Sequence, residues 1–481
     1  MKKIILTIII ALLFSEVQTI VAQRPNITVT KFRDSAESSA WCQYDSTLVA
    51  YNLLQSNGYW GIYLANVGPG NTLLNERCFT CGKSFLPGKN YAQPAFSPSK
   101  RYILFMAEKA VHSGTSANSI PGIGMYNDLW VMKMDGSKAW RLTTLPSTGN
   151  NSAMIEPYFS PDGKEIEWDE MTDSVNIGVL KQSFGYWVIK IAPFIDDTIN
   201  GPHIDSTNIR TITPGNTPAF NESYGWSPDA SRLIFASCYN QFWPLDDQIY
   251  TMDTIGNNIK QMSSTAHGYP YTEHAFYNTT GTQIIWMTDL YNTVGSSKGG
   301  DDWWIMNSDT THQERLTYFN DTLCSYWTGN IHINGHGSFA PDGKKFIGDV
   351  GGSASVQTNP AASIGANYII SSDYFTGAAP VSNNSLQCNL YPNPNTGQFT
   401  ITFSSSSPPV GGSASQTSVE VYNLLGEKVY SSSTPTLLPH SGGGVSFAYS
   451  INISSQPSGV YFLKINNGTS SVSKKFVVDK Q

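Results

Sequence analysis

Six positions carry the side chains best suited to chemistry: Ser38, Gln93, Glu156, Ser223, Glu273 and His336. Each stands three residues ahead of an aromatic, in turn Trp41, Phe96, Phe159, Trp226, Phe276 and Phe339. His274, adjacent to Glu273, joins Gln93, Glu156, Glu273, His336 and Asp349 as an expected ligand-binding residue, and His332 lies a little upstream of His336. A neutral imidazole at His336 with the carboxylates of Glu156 and Glu273 is a ligand set for one divalent cation, zinc or manganese. Gln93 would orient a water or a ligand hydroxyl, and Asp349, at the end of the strand after His336, would support the imidazole from behind. Carboxylates gathered in one place repel, so each is pushed toward its protonated form unless a cation or a donor compensates. The plainer reading is that these groups line a water-filled channel.

Residues so far apart in the chain meet only if the chain repeats. The turn Ser160-Pro161-Asp162-Gly163-Lys164 sits between apolar strands, and variants of it follow Phe96, Trp226 and Phe339, with weaker copies after Trp41 and Phe276. Successive aromatics are 55, 63, 67, 50 and 63 residues apart. Strand-like alternation with turn chemistry at that period predicts a β-propeller. One unit shows the whole grammar: strand A at 94–97, B at 102–106, C at 128–132, the turn Asp135-Gly136, and D at 140–143. The sixth unit lacks a fourth strand, and residues 27–30 alternate as a spare strand. They are expected to close the ring, because an open edge leaves a row of backbone donors and acceptors unpaired.

The composition fits an all-β exported protein: 14% charged residues, 41 Gly, 25 Tyr and 12 Trp in 481 residues. Met1-Lys2-Lys3, the apolar run 4–14 and Ala22 read as a signal peptide over residues 1–22, too short to span a bilayer. No later stretch approaches a membrane span. The net charge of −7 has no basic stripe, which argues against nucleic acid as a partner. Six cysteines are too few to replace a core. Cys78-Phe79-Thr80-Cys81 admits a redox or zinc role, but a disulfide in an oxidising compartment is the simpler expectation.

The order F-S-P-D-G, D-L-W-V-M, D-G and R-L-T resembles the TolB-type (WD40-like) propeller repeat, over about residues 27–373 in six copies. That resemblance implies a six-bladed propeller across residues 23–375. Such propellers serve as interaction platforms, as partner domains of peptidases and as pectin lyases, so the fold does not fix the function. The peptidase option requires an attached hydrolase domain for which this chain has no room. After a small, polar linker (376–387) the character changes. The blocks Leu390-Tyr391-Pro392-Asn393-Pro394, 419–429 and 458–465 alternate as an antiparallel, immunoglobulin-like β-sandwich over 388–481. Their wording resembles the C-terminal sorting domain of the type IX secretion system. It implies an address: export by the signal peptide, transfer across the outer membrane by that machinery, then release or attachment at the cell surface.

Within each unit the A-to-B and C-to-D turns fall on one face, and the long connections (107–127, 144–155, 170–184, 237–246, 287–301, 318–335) on the other. Long loops mark that second face as the expected surface for a glycan or protein ligand. Asp162, Asp229 and Asp342 belong to tight turns and Asp128, Asp247 and Asp302 to strand starts, structural roles in both cases. The loop aromatics Tyr239, Trp243, Tyr269, Tyr271, Tyr291, Tyr326 and Trp327 either stack on sugars or pack the loops. The expected function is a secreted binding module. The alternative is a metal-dependent carbohydrate-active enzyme similar to oligogalacturonate lyases, in which a cation neutralises a uronate carboxylate while a base takes the adjacent proton. Those lyases use three His and one Gln in one blade, a cluster absent from this sequence.

Overall fold

The computed structural model describes residues 27–480 except 114–115, 147–152, 175–184, 240–245, 264–269, 291–299, 328–331, 353–364, 373–374, 376–386, 406–417, 424–426, 433–436, 439–444 and 467–470. The expected signal peptide (1–22), nearly all of the expected linker, and Trp243, Tyr269 and Tyr291 lie outside the described residues. The chain divides into two compact units, Met1–Thr376 and Gly377–Gln481.

The first unit is built from antiparallel sheets of short strands. A leading strand, β1 (Thr28–Asp34), precedes sheet 1, made of β2 (Ala36–Trp41), β3 (Leu48–Leu54), β4 (Trp60–Val67) and β5 (Leu73–Cys78). Sheet 2 has β6 (Tyr91–Phe96), β7 (Tyr102–Glu108), β8 (Asn127–Lys133) and β9 (Ala139–Arg141). Sheet 3 has β10 (Met154–Phe159), β11 (Glu165–Ser174) and β12 (Gly185–Ile195), whose two ends pair with β13 (His203–Ile204) and β14 (Arg210–Ile212). Sheet 4 comprises β15 (Asn221–Trp226), β16 (Arg232–Ser237), β17 (Gln248–Asp253) and β18 (Lys260–Gln261). Sheet 5 comprises β19 (Thr272–Tyr277), β20 (Gln283–Thr288), β21 (Asp302–Asn307) and β22 (Glu314–Arg315). Sheet 6 has β23 (His332–Phe339), β24 (Lys345–Gly352) and β25 (Ala366–Ser371), and β1 completes it by pairing with β25, Thr28 opposite Ser371 and Asp34 opposite Ala366.

Alternation explains how these sheets pack. Successive residues of a strand point to opposite faces, so each sheet offers one apolar set to each neighbour. In β7, Ile103 and Phe105 pack with Ala50 and Ile62 of sheet 1, whereas Leu104 and Met106 pack with Phe159 and Trp168 of sheet 3. In β20, Ile284 and Trp286 join Ile234 and Ile249 of sheet 4, and Ile285 and Met287 join Phe339 and Phe346 of sheet 6. The last interface joins sheet 6 to sheet 1 through Ile347 and Ile369 against Trp41, Val49 and Tyr51, with Phe32 of β1 in the same cluster.

The A-to-B turns hold by local bonds. Ser160 Oγ accepts from the Glu165 N–H at 2.9 Å, Asp162 Oδ1 accepts from the Lys164 N–H at 3.0 Å, and Gly163 takes a φ of 71° that few other residues tolerate. Asp229 and Asp342 accept the same backbone bond from Ser231 and Lys344, so these aspartates are structural. Cys78 and Cys81 form a disulfide, and Cys42, Cys238 and Cys324 are free. Among the described residues no helix is long and apolar enough to cross a membrane.

The second unit holds two four-stranded antiparallel sheets. One contains β26 (Gln387–Tyr391), β27 (Gln398–Ser405), β30 (Leu437–Leu438) and β31 (Val445–Asn452). The other contains β28 (Ser418–Asn423), β29 (Lys428–Ser432), β32 (Gly459–Asn466) and β33 (Ser471–Val478). Phe399, Ile401, Val421, Ile451, Leu463 and Phe476 form the core of this unit.

Candidate functional site

The first strands of the six sheets, β2, β6, β10, β15, β19 and β23, contact one another in sequence, and β23 contacts β2. Each carries a β-bulge where its ladder with the second strand skips. The bulged residues are Ser38-Ser39, Gln93-Pro94, Glu156-Pro157, Tyr224-Gly225, His274-Ala275 and Gly335-His336. Ser38, Gln93, Glu156 and His274 take φ values of 46°, 50°, 54° and 47°. A non-glycine residue in that region costs on the order of 1 kcal/mol or more, and such strain gathers where a bulge re-aims a side chain.

The bulges correct the register read from the sequence. In sheets 1 to 3 the first bulged residue is the one expected: Ser38, Gln93 and Glu156. In sheets 4 and 5 it is Tyr224 and His274, so that Ser223 and Glu273 fall one place before the bulge, and in sheet 6 it is Gly335, with the expected His336 as the second bulged residue. Glu273 is the last residue in register before its bulge, and it does not join Glu156 and His336 as the third member of one ligand set. His274 does. One side-chain atom each of Glu156, His274 and His336 lies within 4.8 Å of the other two, and Glu273 instead groups with Glu222 and His274.

His336 is held on every side. Its Nε2 contacts Glu156 Oε1 and lies 2.7 Å from Gln93 Nε2, which also contacts Glu156 Oε1. Its Nδ1 faces Ser38 Oγ at 3.4 Å and Asp349 Oδ1 at 3.9 Å. Gln93 Oε1 accepts from the Glu156 N–H at 2.8 Å, and the Tyr158 hydroxyl donates to Glu156 Oε2 at 2.8 Å. The His274 ring lies 4.6 Å from that of His336, and its Nε2 is 3.8 Å from Glu273 Oε2. The Tyr271 hydroxyl donates to Glu273 Oε2 at 2.5 Å.

Glu156, Glu167, Asp169, Glu222, Asp247, Glu273 and Asp349 are all buried. Among the described residues their ion pairs are with His274 and His336 alone. Burial pushes Glu167 up to about 8 and Glu273 to about 7, and Asp349, also raised mainly by burial, reaches about 6. Burial and then Glu273 drive Asp247 well above the carboxylate range, and the same two causes act on Glu222. Burial works against a charged His336, but Glu156, then Asp349 and Glu222, outweigh it and lift the imidazole to about 10. His274 goes the other way: burial, then His336, hold it well below 6.5, so it is neutral.

A cavity of about 390 Å³ rises from this cluster. Its floor is Ser38, Gln93, Glu156, Tyr224 and His336, and its walls are the repeat aromatics Trp41, Phe96, Phe159, Trp226, Phe276 and Phe339. Pro98, Pro161, Pro228 and Asn278, all in A-to-B turns, form its outer rim. Among the described residues none of the long connections lines it, and its described lining reaches the A-to-B turns. The bulges account for this, because the strand beyond each bulge runs from the polar floor to the turn. Of the loop aromatics, Tyr239 packs on Tyr250 and Tyr326 on Phe319.

Glu222, Glu167, Asp169 and Tyr158 were not expected in the site. A signal existed: Glu165-Ile166-Glu167-Trp168-Asp169 places charges in a second strand whose counterpart reads Tyr102-Ile103-Leu104-Phe105-Met106. Asp247 also departs from its repeat equivalents. Asp128 pairs with Lys109 at 2.7 Å and Asp302 with Arg315 at 2.6 Å, but neither oxygen of Asp247 has a hydrogen-bond donor.

Residues 389–479 match the family model of the secretion system C-terminal sorting domain, so the tail is a type IX sorting domain and marks the chain for secretion by that system. No curated protein matches the chain. Similar solved structures include a puromycin-hydrolysing peptidase of Mycobacterium tuberculosis, 10% identical with a TM-score of 0.40, covering 77% of this chain and 58% of that one. Dipeptidyl peptidase 4 of Porphyromonas gingivalis is 8% identical with a TM-score of 0.28, covering 79% and 58%. Sqt1 of Chaetomium thermophilum is 12% identical with a TM-score of 0.29, covering 89% and 98%. The chain thus spans a little over half the length of the two peptidase structures.

Proposed function

We propose that the first unit is a six-bladed TolB-type propeller, over residues 23–375, that acts as a secreted binding module, with the immunoglobulin-like sandwich at 388–481 serving only as its export address. The observation that carries the reading is the axial cavity. A floor of Gln93, Glu156 and His336 under walls of Trp41, Phe96 and Trp226 suits a ligand with hydroxyls at one end and ring faces along its sides, as in a short glycan. Its volume is at the lower end of small-molecule sites, which run from about 300 to 1,000 Å³. Aromatic walls supply area at low entropic cost, and the floor supplies direction.

The lyase reading draws on the same place. His274, His336 and Gln93 offer the same side-chain types, but they come from sheets 5, 6 and 2 rather than from one blade, and the third member of their cluster is Glu156 rather than a histidine, which favours binding over elimination.

Glycan-array screening of the secreted protein, followed by calorimetry with any hit, tests the reading. Binding should be lost in Trp226→Ala and in Glu156→Gln and kept in Asp342→Ala. Equal binding in all three variants, or no binding by the wild type, would overturn it.

A further inference from the structure

Each of the two clustered imidazoles has a carboxylate near one ring nitrogen, as metal-bound histidines commonly do. A metal-bound histidine almost always directs its second ring nitrogen at a carboxylate, a carbonyl or a water, which fixes the tautomer and leaves the first lone pair for the ion. His274 Nε2 faces Glu273 Oε2 at 3.8 Å, and its Nδ1 has no hydrogen-bond partner. His336 Nδ1 faces Asp349 Oδ1 at 3.9 Å, and its Nε2 is turned to Glu156. Each ring therefore has a carboxylate within 3.9 Å of one nitrogen, beyond direct hydrogen-bond distance, and His336 Nδ1 also has Ser38 Oγ at 3.4 Å.

We propose that Glu156, His274 and His336 form a binding site for one divalent transition-metal ion, with zinc as the best fit and the fourth coordination position open to the cavity. Two imidazoles and a carboxylate select zinc-like ions over calcium or magnesium, which take oxygen ligands. Three protein ligands with one open position is the pattern of reactive rather than structural zinc sites. The three ligand atoms now lie within 4.8 Å of one another. Bonds of about 2.0 to 2.1 Å in a tetrahedral site place ligand atoms about 3.4 Å apart, so coordination draws His274 in while Glu156 and His336 part slightly.

A second, independent observation points to a missing positive charge. The Glu273 side chain is only 5% exposed, and its carboxyl faces that of Asp247, with no donor from any other described side chain at its Oε1. No lysine or arginine forms an ion pair with Glu156, Glu222, Glu273 or Asp349 among the described residues. Glu156 and His274 also both hold strained left-handed conformations, which aim two of the three proposed ligands inward. The proposal rests on the cavity reading only for what the open position meets.

The test is zinc titration of the chelator-stripped protein by calorimetry, with metal analysis after gel filtration. The wild type should bind one zinc per chain and bind calcium far more weakly. His274→Ala and His336→Ala should abolish stoichiometric binding. Glu273→Gln and Asp349→Asn keep their shape and remove only the supporting charge, so each should weaken zinc by about 10- to 100-fold. Unchanged affinity in either of these isosteric variants overturns the proposal even if the alanine variants fail to fold. So does a wild type that takes up no zinc or prefers calcium. Glycan binding that persists in chelator together with absent zinc binding would sink the metal site alone. Zinc binding without glycan binding would leave the site standing and remove the glycan reading.

Discussion

His336 Nε2 contacts Glu156 Oε1 although 180 residues separate the two in sequence. Glu156 belongs to sheet 3 and His336 to sheet 6, so the contact exists only because six sheets return on themselves. The last interface of that ring, between sheets 6 and 1, is completed by β1. The site therefore depends on a strand far from it in sequence.

Phe32 of β1 is buried with Trp41, Tyr51 and Ile369 at that interface. Phe32→Ala should destabilise the protein by about 3 kcal/mol or more, since removing a buried aromatic loses transfer energy and leaves a cavity. Deleting residues 28–34 should go further and expose the edge of β25 to protease. Thermal melting and limited proteolysis check both, and a deletion with unchanged protease resistance would show that β1 does not close the ring.

The metal-free protein should lose stability as pH rises. Glu167, at about 8 in the folded state against 4.5 otherwise, holds a proton that the unfolded chain has released, and Glu273, at about 7, does the same. A raised carboxyl contributes fully below its unfolded value and loses that contribution up to its folded one, a window here of about pH 4.5 to 8. His336, raised from 6.5 to about 10, adds a loss of the same sign between those values. His274, depressed well below 6.5, acts with the opposite sign only below that value, so melting temperature should fall from pH 6.5 to pH 9 in chelator, and saturating zinc should flatten the slope. A stripped protein whose stability rises with pH would contradict the charge arrangement.

A chain ending at Thr376 should fold and bind as the full protein does, because the two units have separate cores. Lacking the sorting domain, it should stay cell-associated instead of reaching the medium or the surface. Fractionation with immunodetection decides this, and normal external yield would mean that the tail is not the address.

The fold was legible because its signals repeat. Pro-Asp-Gly turns, aromatic strand starts and alternating apolar residues recur at one period, and alternation alone says which side of each sheet meets which neighbour. The site was legible only by half. Counting back three residues from an aromatic locates Ser38, Gln93, Glu156 and His336, and misses by one in sheet 5, where it gives Glu273 in place of His274 as the third ligand. A bulge adds a residue whose place is set by ladder pairing rather than by distance from the aromatic. His274 is therefore legible as a ligand-binding residue beside the metal set but not as one of the metal ligands. Asp247 was equally opaque, because its repeat equivalents Asp128 and Asp302 have cationic partners that are not adjacent in sequence.

That difference between Asp247 and Asp302 yields the sharpest test. Asp302 is buried and accepts from Arg315 Nη2 at 2.6 Å, Thr317 Oγ1 at 2.9 Å and the Phe319 N–H at 2.6 Å. Asp302→Asn removes the charge opposite Arg315, and breaking a buried pair on one side costs about 3 to 5 kcal/mol. Asp247 is as deeply buried, but it faces the Glu273 carboxyl, and neither of its oxygens has a donor. The two acids must share a proton drawn from water, and doing so costs more as pH rises. Asp247→Asn supplies a permanent N–H to Glu273, and a hydrogen bond to a charged group contributes about 1.5 to 3 kcal/mol. It should therefore raise the melting temperature of the metal-free protein, with a gain that grows from pH 5 to pH 9, while Asp302→Asn lowers it throughout. Equal losses in both variants would mean that Asp247 has an ordinary structural role and that the axial carboxylates are not under the repulsion described above.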